Sequence, residues 1–122
     1  MKMIIKASFD IQSAEGKMKV FNAQNGASVS LKTLDDGTII DAVGVLQYPE
    51  KVSTYGNEQD AIVTTIFAED GTAYAGVSDT VAKAGEKLIE FLEATGMEKF
   101  KVKVVKQTSS KGNEFLNLQL VM

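Results

Sequence analysis

The chain has 122 residues, 44% of them hydrophobic, which suits one hydrophobic core and a single globular domain. It contains neither cysteine nor histidine, which excludes disulfides, thiol nucleophiles and zinc-thiolate sites and removes the usual general base of enzymes. No apolar run approaches the roughly 20 residues of a membrane span, and the start of the chain shows no signal-peptide pattern, so we expect a soluble, intracellular protein.

The net charge of −3 is unevenly distributed along the chain. Residues 1–34 carry a formal charge of +3, residues 35–98 carry −10, and residues 99–122 carry +4. Such asymmetry can attract a polyanion to one face while the rest of the surface keeps the protein soluble. All thirteen basic residues are lysines, so the bidentate guanidinium contact with base edges in duplex DNA is not available.

Turn signals and period-two alternation predict strands in most of the chain. Ile4 to Phe9 is predicted as a strand, whereas residues 13–23 are compatible either with a helix capped by Ser13 or with a second strand. Further strands are predicted over 38–48, 61–67 and 72–76, and a hairpin over 100–122. The only proline, Pro49, and the turn-rich stretch from Glu50 to Asp60 predict a long loop between the first two of these strands.

One helix is predicted between the third strand and the hairpin. Ser78 or Asp79 can cap its start, and Thr95-Gly96 supplies its end. Its apolar positions, Val81, Leu88, Ile89 and Leu92, recur near helical spacing. Lys83 and Lys87 lie among glutamates on this helix and are interpreted as solvated surface.

Residues 38–122 therefore read strand, strand, strand, helix, strand, strand, which is the order of an OB-fold. The predicted fold class is all-β with one helix: an OB-fold-like five-stranded barrel with an N-terminal extension. Residues 1–34 would form an N-terminal extension that packs on the barrel or contacts a neighbouring subunit, and residues 35–122 the OB-fold-like core of a single domain.

The hairpin between Phe100 and Met122 has two different faces. Phe100, Val102 and Val104 alternate with lysines, and after the turn the leucines at 116, 118 and 120 alternate with Phe115, Asn117 and Gln119. Lysines, amides and a large aromatic on one wet face are suited to a polyanion that carries flat bases. The alternative is a solvated edge hairpin whose lysines discourage aggregation.

Several segments closely resemble one known family. They are Phe21-Asn22-Ala23-Gln24, Asp36-Gly37-Thr38-Ile39-Ile40, residues 63–68 followed by Asp70-Gly71, residues 100–105, and the turn at 108–113. These blocks are similar to the single-stranded-DNA-binding protein of small Bacillus phages that replicate by protein priming. The resemblance implies a protein that coats and protects the strand displaced during phage DNA replication and aids elongation. It also implies single-stranded DNA as partner, with phage replication proteins and further copies of the chain as other partners, no membrane, and action in the host cytoplasm.

The aromatic and basic residues support the same function. Base stacking on an exposed ring tolerates any sequence, and lysines hold phosphates, although a tyrosine in a barrel wall is equally explained by core packing. The predicted nucleic-acid-binding residues are Tyr48, Lys51, Tyr55, Tyr74, Lys101, Lys103, Lys106, Lys111 and Phe115. The resemblance supports the three tyrosines in particular, because members of that family also have tyrosines at these positions. Three other phenylalanines, Phe67, Phe91 and Phe100, are expected in the core.

An enzymatic function is not expected, and neither a cofactor nor a metal is predicted. Asp35-Asp36 and Glu69-Asp70 each precede a glycine, which is the ordinary chemistry of turns. Ser109-Ser110-Lys111-Gly112 lacks the glycine frame of a phosphate loop and joins two strands. The alternative to DNA binding is an OB-type module for protein interaction or virion assembly.

Overall fold

The computed structural model describes residues 5–26, 28–54, 56–112 and 114–121, with the backbone alone for residues 51–54 and 57–59. Within these ranges the chain forms strands, two α-helices and a short 3-10 helix. The strands are β1 (Lys6–Ala7), β2 (Val29–Ser30), β3 (Ile39–Thr54), β4 (Asn57–Ala68), β5 (Ala73–Gly76), β6 (Phe100–Thr108) and β7 (Glu114–Val121). The helices are α1 (Ala14–Gln24) and α2 (Asp79–Thr95), and the 3-10 helix covers Leu31–Thr33.

All of these strands belong to one curled sheet in the order β2-β5-β4-β3-β6-β7, and β1 pairs with β3. Neighbours are antiparallel except β2 and β5, which pair in parallel. Helix α2 packs against β3, β4 and β7. The order from β3 to β7 is that of an OB-fold, so the predicted OB-fold-like architecture is confirmed. Among the described residues the edge strands of this order, β2 and β7, do not pair, and the barrel is open between them.

Two hydrophobic clusters lie on opposite faces of the sheet. Val45 and Ile66 point inward to the cluster under α2, whereas their neighbours Leu46 and Phe67 point outward, because side chains alternate along a strand. The outward cluster is covered by the N-terminal segment. Phe9 packs edge-on against Phe67, with ring centroids 5.6 Å apart.

Helix α2 has the caps that the sequence predicts. The Ser78 hydroxyl accepts a hydrogen bond from the Val81 N–H at 3.3 Å, and Gly96 ends the helix in the left-handed conformation, with φ of 69°. Its buried side consists of Val81, Gly85, Leu88, Ile89 and Leu92.

The prediction that Phe91 is a core residue is wrong, because its side chain is 40% exposed. Successive helical residues turn by about 100°, which places Phe91 on the side of Lys87 and away from the buried side of α2. Phe67 and Phe100 are buried as predicted.

Helix α2 lies close to β3 and β4 because residue 85 is a glycine. A Cβ atom at Gly85 would lie 2.6 Å from Thr64 Cγ2 and 2.7 Å from Gln47 Nε2. The buried Gln47 amide donates to the Thr64 hydroxyl at 3.0 Å and to the Ala82 carbonyl at 2.7 Å. A polar contact therefore links the helix to the two strands across the inner core.

Residues 13–23, for which the sequence left two alternatives, lie almost entirely in α1. The Ser13 hydroxyl caps the helix by accepting a hydrogen bond from the Gly16 N–H at 3.0 Å. On its sheet side Ala23 is buried, whereas Met18 and Phe21 are exposed. The helix is therefore attached to the sheet by few residues.

The first strand is shorter than predicted. Only Lys6–Ala7 pairs with β3, and Ile4 lies outside the described residues. At Ser8 the side-chain hydroxyl accepts a hydrogen bond from the Val45 N–H at 2.9 Å. The Val45 N–H is thus bonded to a side chain and is not available to a backbone carbonyl of a longer β1.

The predicted loop from Glu50 to Asp60 is also wrong, since this stretch forms a long two-stranded ribbon. Strand β3 continues to Thr54 and pairs with β4 up to Asn57, which leaves a two-residue connection. The polar composition suggests a loop, but polar residues are equally compatible with two strands that pair with each other. Among the described residues, β3 pairs beyond Gln47 with β4 alone, and a proline such as Pro49 is tolerated in a strand that pairs on one side.

The predicted division at residue 34 stays a prediction. Leu31, within the N-terminal extension, is fully buried in the inner cluster, and β2 extends the sheet beside β5. The extension and the barrel therefore share one core.

Candidate nucleic-acid interface

The β6–β7 hairpin presents one outward face that combines lysines, amides and an aromatic ring. Lys103 is the register partner of Gln119, and Gln107 that of Phe115, so these side chains share a face. Lys101 lies two residues before Lys103 and points the same way. The structure thus brings three of the predicted residues, Lys101, Lys103 and Phe115, onto one surface, which we call the hairpin face.

The lysines of the hairpin face are accessible to a ligand. Lys101 is exposed and Lys103 is half-buried, and within the described residues neither forms an ion pair. Lys111 is exposed in the turn that joins the strands, where Gly112 adopts a φ of 84°. Asp41 is the register partner of Lys101 on β3, so one carboxylate borders this surface. The local charge is positive towards the turn and mixed at the opposite end.

Lys106 lies on the other face of β6 and contributes to a separate cleft. Its ammonium group donates to the Lys32 carbonyl at 3.2 Å, and its backbone N–H donates to Asp36 Oδ1 at 2.9 Å. The cleft, of about 410 Å³, lies between the start of β7 on one side and the 3-10 helix with the end of β5 on the other. Phe115, 37% exposed, also lines it and connects it with the hairpin face.

Lys32 is a residue of this cleft that the sequence analysis did not assign. It lies in the 3-10 helix and lines the cleft together with Lys106. Lys32 belongs to the predicted N-terminal extension, and that position does not indicate a place in the cleft. The positive formal charge of residues 1–34 was the only signal that pointed to it.

Tyr48 is buried in the outward cluster, with 5% of its surface exposed. Its hydroxyl donates a hydrogen bond to the Ala23 carbonyl at 3.1 Å. Burial, and secondarily the negative charge of Glu50, raises the pKa of Tyr48. A base can stack on this ring only after α1 moves, a condition that the sequence did not reveal.

Tyr74 lies half-buried on β5, on the inward face beside Ile66. It borders a cavity of about 410 Å³ that is also lined by Asp41, Glu69 and Asp70. Lys99 partly offsets these charges through an ion pair with Glu69 at 3.0 Å. Hydrogen bonds from Thr72, chiefly from its backbone N–H, lower the pKa of Asp70 and keep it ionised. The structure therefore separates Tyr74 from the lysines of the hairpin face.

For two further predicted residues, Tyr55 and Lys51, the structure gives no side-chain detail. Tyr55 lies outside the described residues, and for Lys51 the backbone alone is described, opposite Asp60. Lys51 belongs to the part of the ribbon that extends beyond the described pairing of β3 with β1 and β6.

Neither a metal centre nor a membrane span emerges from the described part of the chain. No group of three or more acidic side chains there is arranged to hold a metal ion. No helix of that part is long and apolar enough to cross a membrane.

Comparisons with known proteins place this chain in a family. The family model described as phage single-stranded DNA-binding protein matches residues 1–121. The single-stranded DNA-binding proteins of Bacillus phages PZA and phi29 are each 51% identical over 117 residues, covering 96% of this chain and 94% of theirs. That of Bacillus phage B103 is 50% identical, covering 96% of both chains. No solved structure matches. The chain belongs to the family of phage single-stranded DNA-binding proteins.

Proposed function

We propose that this protein binds single-stranded DNA without sequence preference and coats the strands displaced during phage DNA replication, protecting them and aiding elongation. The observation that carries the proposal is the identity of 51%, over nearly the whole length, with proteins named for single-stranded DNA binding. The protein would act in the cytoplasm of the infected cell, with phage replication proteins and further copies of itself as additional partners.

The hairpin face supports electrostatic contact with the DNA backbone. Lys101, Lys103 and Lys111 offer ammonium groups to phosphates, and Lys106 and Lys51 extend this set to the cleft and to the ribbon. Each phosphate contact releases counterions, so affinity should fall as salt rises.

Aromatic stacking supplies the second part of the proposed mechanism. Phe115 exposes its ring beside the lysines, and stacking of a base on such a ring is worth ~1 to 3 kcal/mol. Tyr55 and, on β5, Tyr74 are proposed as further stacking partners. Tyr48 would join them only when α1 releases its ring.

The absence of arginine supports a lack of sequence preference. Lysines bind phosphates as point charges, and a stacked ring needs only the flat face of a base. We therefore expect little discrimination between base compositions and a marked preference for single strands over duplex.

The proposal is tested by titrating the protein with oligo(dT). The chain has three tyrosines and no tryptophan, so tyrosine provides its fluorescence. Stacking should quench this emission, and unlabelled mixed-sequence single strand should displace labelled oligo(dT) while blunt duplex should not. If no oligonucleotide changes the emission or the anisotropy of a labelled probe, the alternative, a protein-interaction or virion module, replaces this proposal.

A further inference from the structure

A second groove runs between α2 and the free edge of β7. It has a volume of about 630 Å³ and is lined by residues 117–120 of β7, which follow the residues of β7 that line the cleft. Its polar and aromatic lining residues are Thr80, Lys83, Lys87, Phe91, Asn117 and Gln119. A mixture of cations, amides and an exposed ring suits single-stranded nucleic acid.

The two lysines of this groove are separated from the acidic residues of the same helix. None of the described residues that line the groove is acidic. The cavity on the other side of α2 is lined instead by Glu86, Glu90 and Glu93. Glu86 pairs there with Lys6 at 3.6 Å, and no described acid pairs with either groove lysine. Lys83 and Lys87 are exposed, as the sequence predicts, and the structure adds that both lie beside the groove.

The lysines and Phe91 follow one another along the helix at intervals of four residues. Lys83, Lys87 and Phe91 are thus stacked on one side of α2, each roughly 6 Å further along the axis. Phe91 is 40% exposed, which is unusual for the largest apolar side chain of a packed helix. This arrangement offers two cations in a row and a ring at the end of the row.

The edge of β7 is poorly suited to a protein strand. The Leu118 N–H, which faces away from β6, donates to the side-chain oxygen of Asn117 at 2.9 Å. An added strand would need this donor for its own ladder. One backbone donor of this edge is therefore already bonded to a side chain, which disfavours a β-strand as the occupant of the groove.

We propose that the α2–β7 groove is a second segment of the single-stranded-DNA path, with Lys83 and Lys87 on phosphates and Phe91 against a base. This inference rests on the proposed function. Gln119 lines the groove and is the register partner of Lys103, so the groove continues from the hairpin face around β7. A strand bound to the hairpin face can pass over the edge of β7 and along α2.

A tryptophan at position 91 tests the proposal directly. Because the chain has no tryptophan, Phe91→Trp introduces a single reporter whose emission can be excited separately from tyrosine. Saturating oligo(dT) should quench this emission. The control is Phe21→Trp on α1, where the native ring is 66% exposed and does not line the groove. Emission from position 91 that stays unchanged while the labelled oligonucleotide binds, or quenching that is equal at both positions, overturns the proposal.

A double lysine variant tests the electrostatic part. Lys83→Gln with Lys87→Gln should weaken binding of oligo(dT) and reduce the log-log salt slope by about 1.4, which corresponds to two phosphate contacts on a single strand. The matched control, Lys6→Gln with Lys17→Gln, removes the same charge from exposed positions that do not line the groove. Equal salt slopes for the two variants overturn the proposal.

The proposed function and this inference fail in different ways. If the unmodified protein does not bind oligo(dT), the proposed function fails. If it binds, and the position-91 reporter and the Lys83/Lys87 slope remain unaffected, DNA binding stands and the groove is not part of the path. In that case a peptide strand added to the edge of β7 becomes the occupant to test.

Discussion

The hydroxyl of Tyr48 donates to the carbonyl of Ala23 at 3.1 Å and links strand β3 to the last turn of α1. The ring beneath this contact belongs to the outward cluster, together with Leu46 and Val63. The bond joins an aromatic of the barrel to a helix that has few other buried residues. Its removal should therefore report on the attachment of α1.

Tyr48→Phe keeps the ring and removes this hydrogen bond. We expect the free energy of unfolding at neutral pH to fall by about 0.5 to 1.5 kcal/mol, because the Ala23 carbonyl loses its buried partner. Urea unfolding followed by circular dichroism measures the change. An unaltered unfolding midpoint would show that the Ala23 carbonyl finds another partner without cost.

The same variant should change how stability depends on alkaline pH. Burial raises the pKa of Tyr48 above its ordinary value of 10.0, so the folded protein holds this proton more tightly than the unfolded chain does. The free energy of unfolding therefore does not depend on this tyrosine well below pH ~10, where Tyr48 is protonated in both states. It falls as pH rises above the pKa of ~10 that Tyr48 has in the unfolded chain. Tyr48→Phe lacks the ionisable group, so its stability should decline less between neutral pH and pH ~11 than that of the unmodified protein.

Gly85→Ala should destabilise the protein, although alanine ordinarily stabilises a helix. The added Cβ would lie 2.6 Å from Thr64 Cγ2, and Gln47 is held in place by two hydrogen bonds. We expect a loss of about 1 to 3 kcal/mol from this crowding, against a gain of about 0.5 to 1 kcal/mol from helix propensity alone. Glu86→Ala, at the exposed neighbouring position, is the control and should change thermal stability little. A stabilised Gly85→Ala variant would show that α2 shifts freely on the sheet.

The sequence predicts those elements whose signals are local. Caps at Ser78 and Gly96 bound α2, and the alternation of lysines with valines gives the outward face of β6. The β3–β4 ribbon was predicted as a loop because polar residues and Pro49 mark loops and exposed ribbons alike. Its pairing depends on the register with β4, which no local pattern records.

In the candidate site, too, local sequence patterns predict some side-chain positions, whereas tertiary packing decides others. Lys101, Lys103 and Phe115 share a face because a strand alternates, and that much follows from the sequence. The burial of Tyr48 depends on where α1 packs, and the exposure of Phe91 depends on which side of α2 the sheet covers. Leu88 and Phe91 are three residues apart, which also suits a common buried side, so spacing alone could not separate them.

Thr65→Val should preserve or increase stability. The Thr65 side chain is fully buried in β4, and its hydroxyl has no hydrogen-bond partner among the described residues. Valine has nearly the same shape and removes an unsatisfied polar group whose burial costs about 1 to 3 kcal/mol. Thermal unfolding should show an equal or higher midpoint. The matched change Thr64→Val should instead lower it, since the Thr64 hydroxyl accepts the Gln47 amide at 3.0 Å.

Replacing the lysines of the hairpin face should weaken DNA binding in a salt-dependent way. Lys101→Gln with Lys103→Gln removes two ammonium groups that form no ion pair within the described residues, so folding stability should change little. Affinity for oligo(dT) should fall, and the log-log salt slope should become shallower by about 1.4, because two phosphate contacts are lost. Anisotropy titrations at several salt concentrations measure both quantities. The control is Lys6→Gln with Lys17→Gln, which removes the same charge from the N-terminal segment. Equal losses from both pairs would show that net charge, and not the hairpin face, sets the affinity.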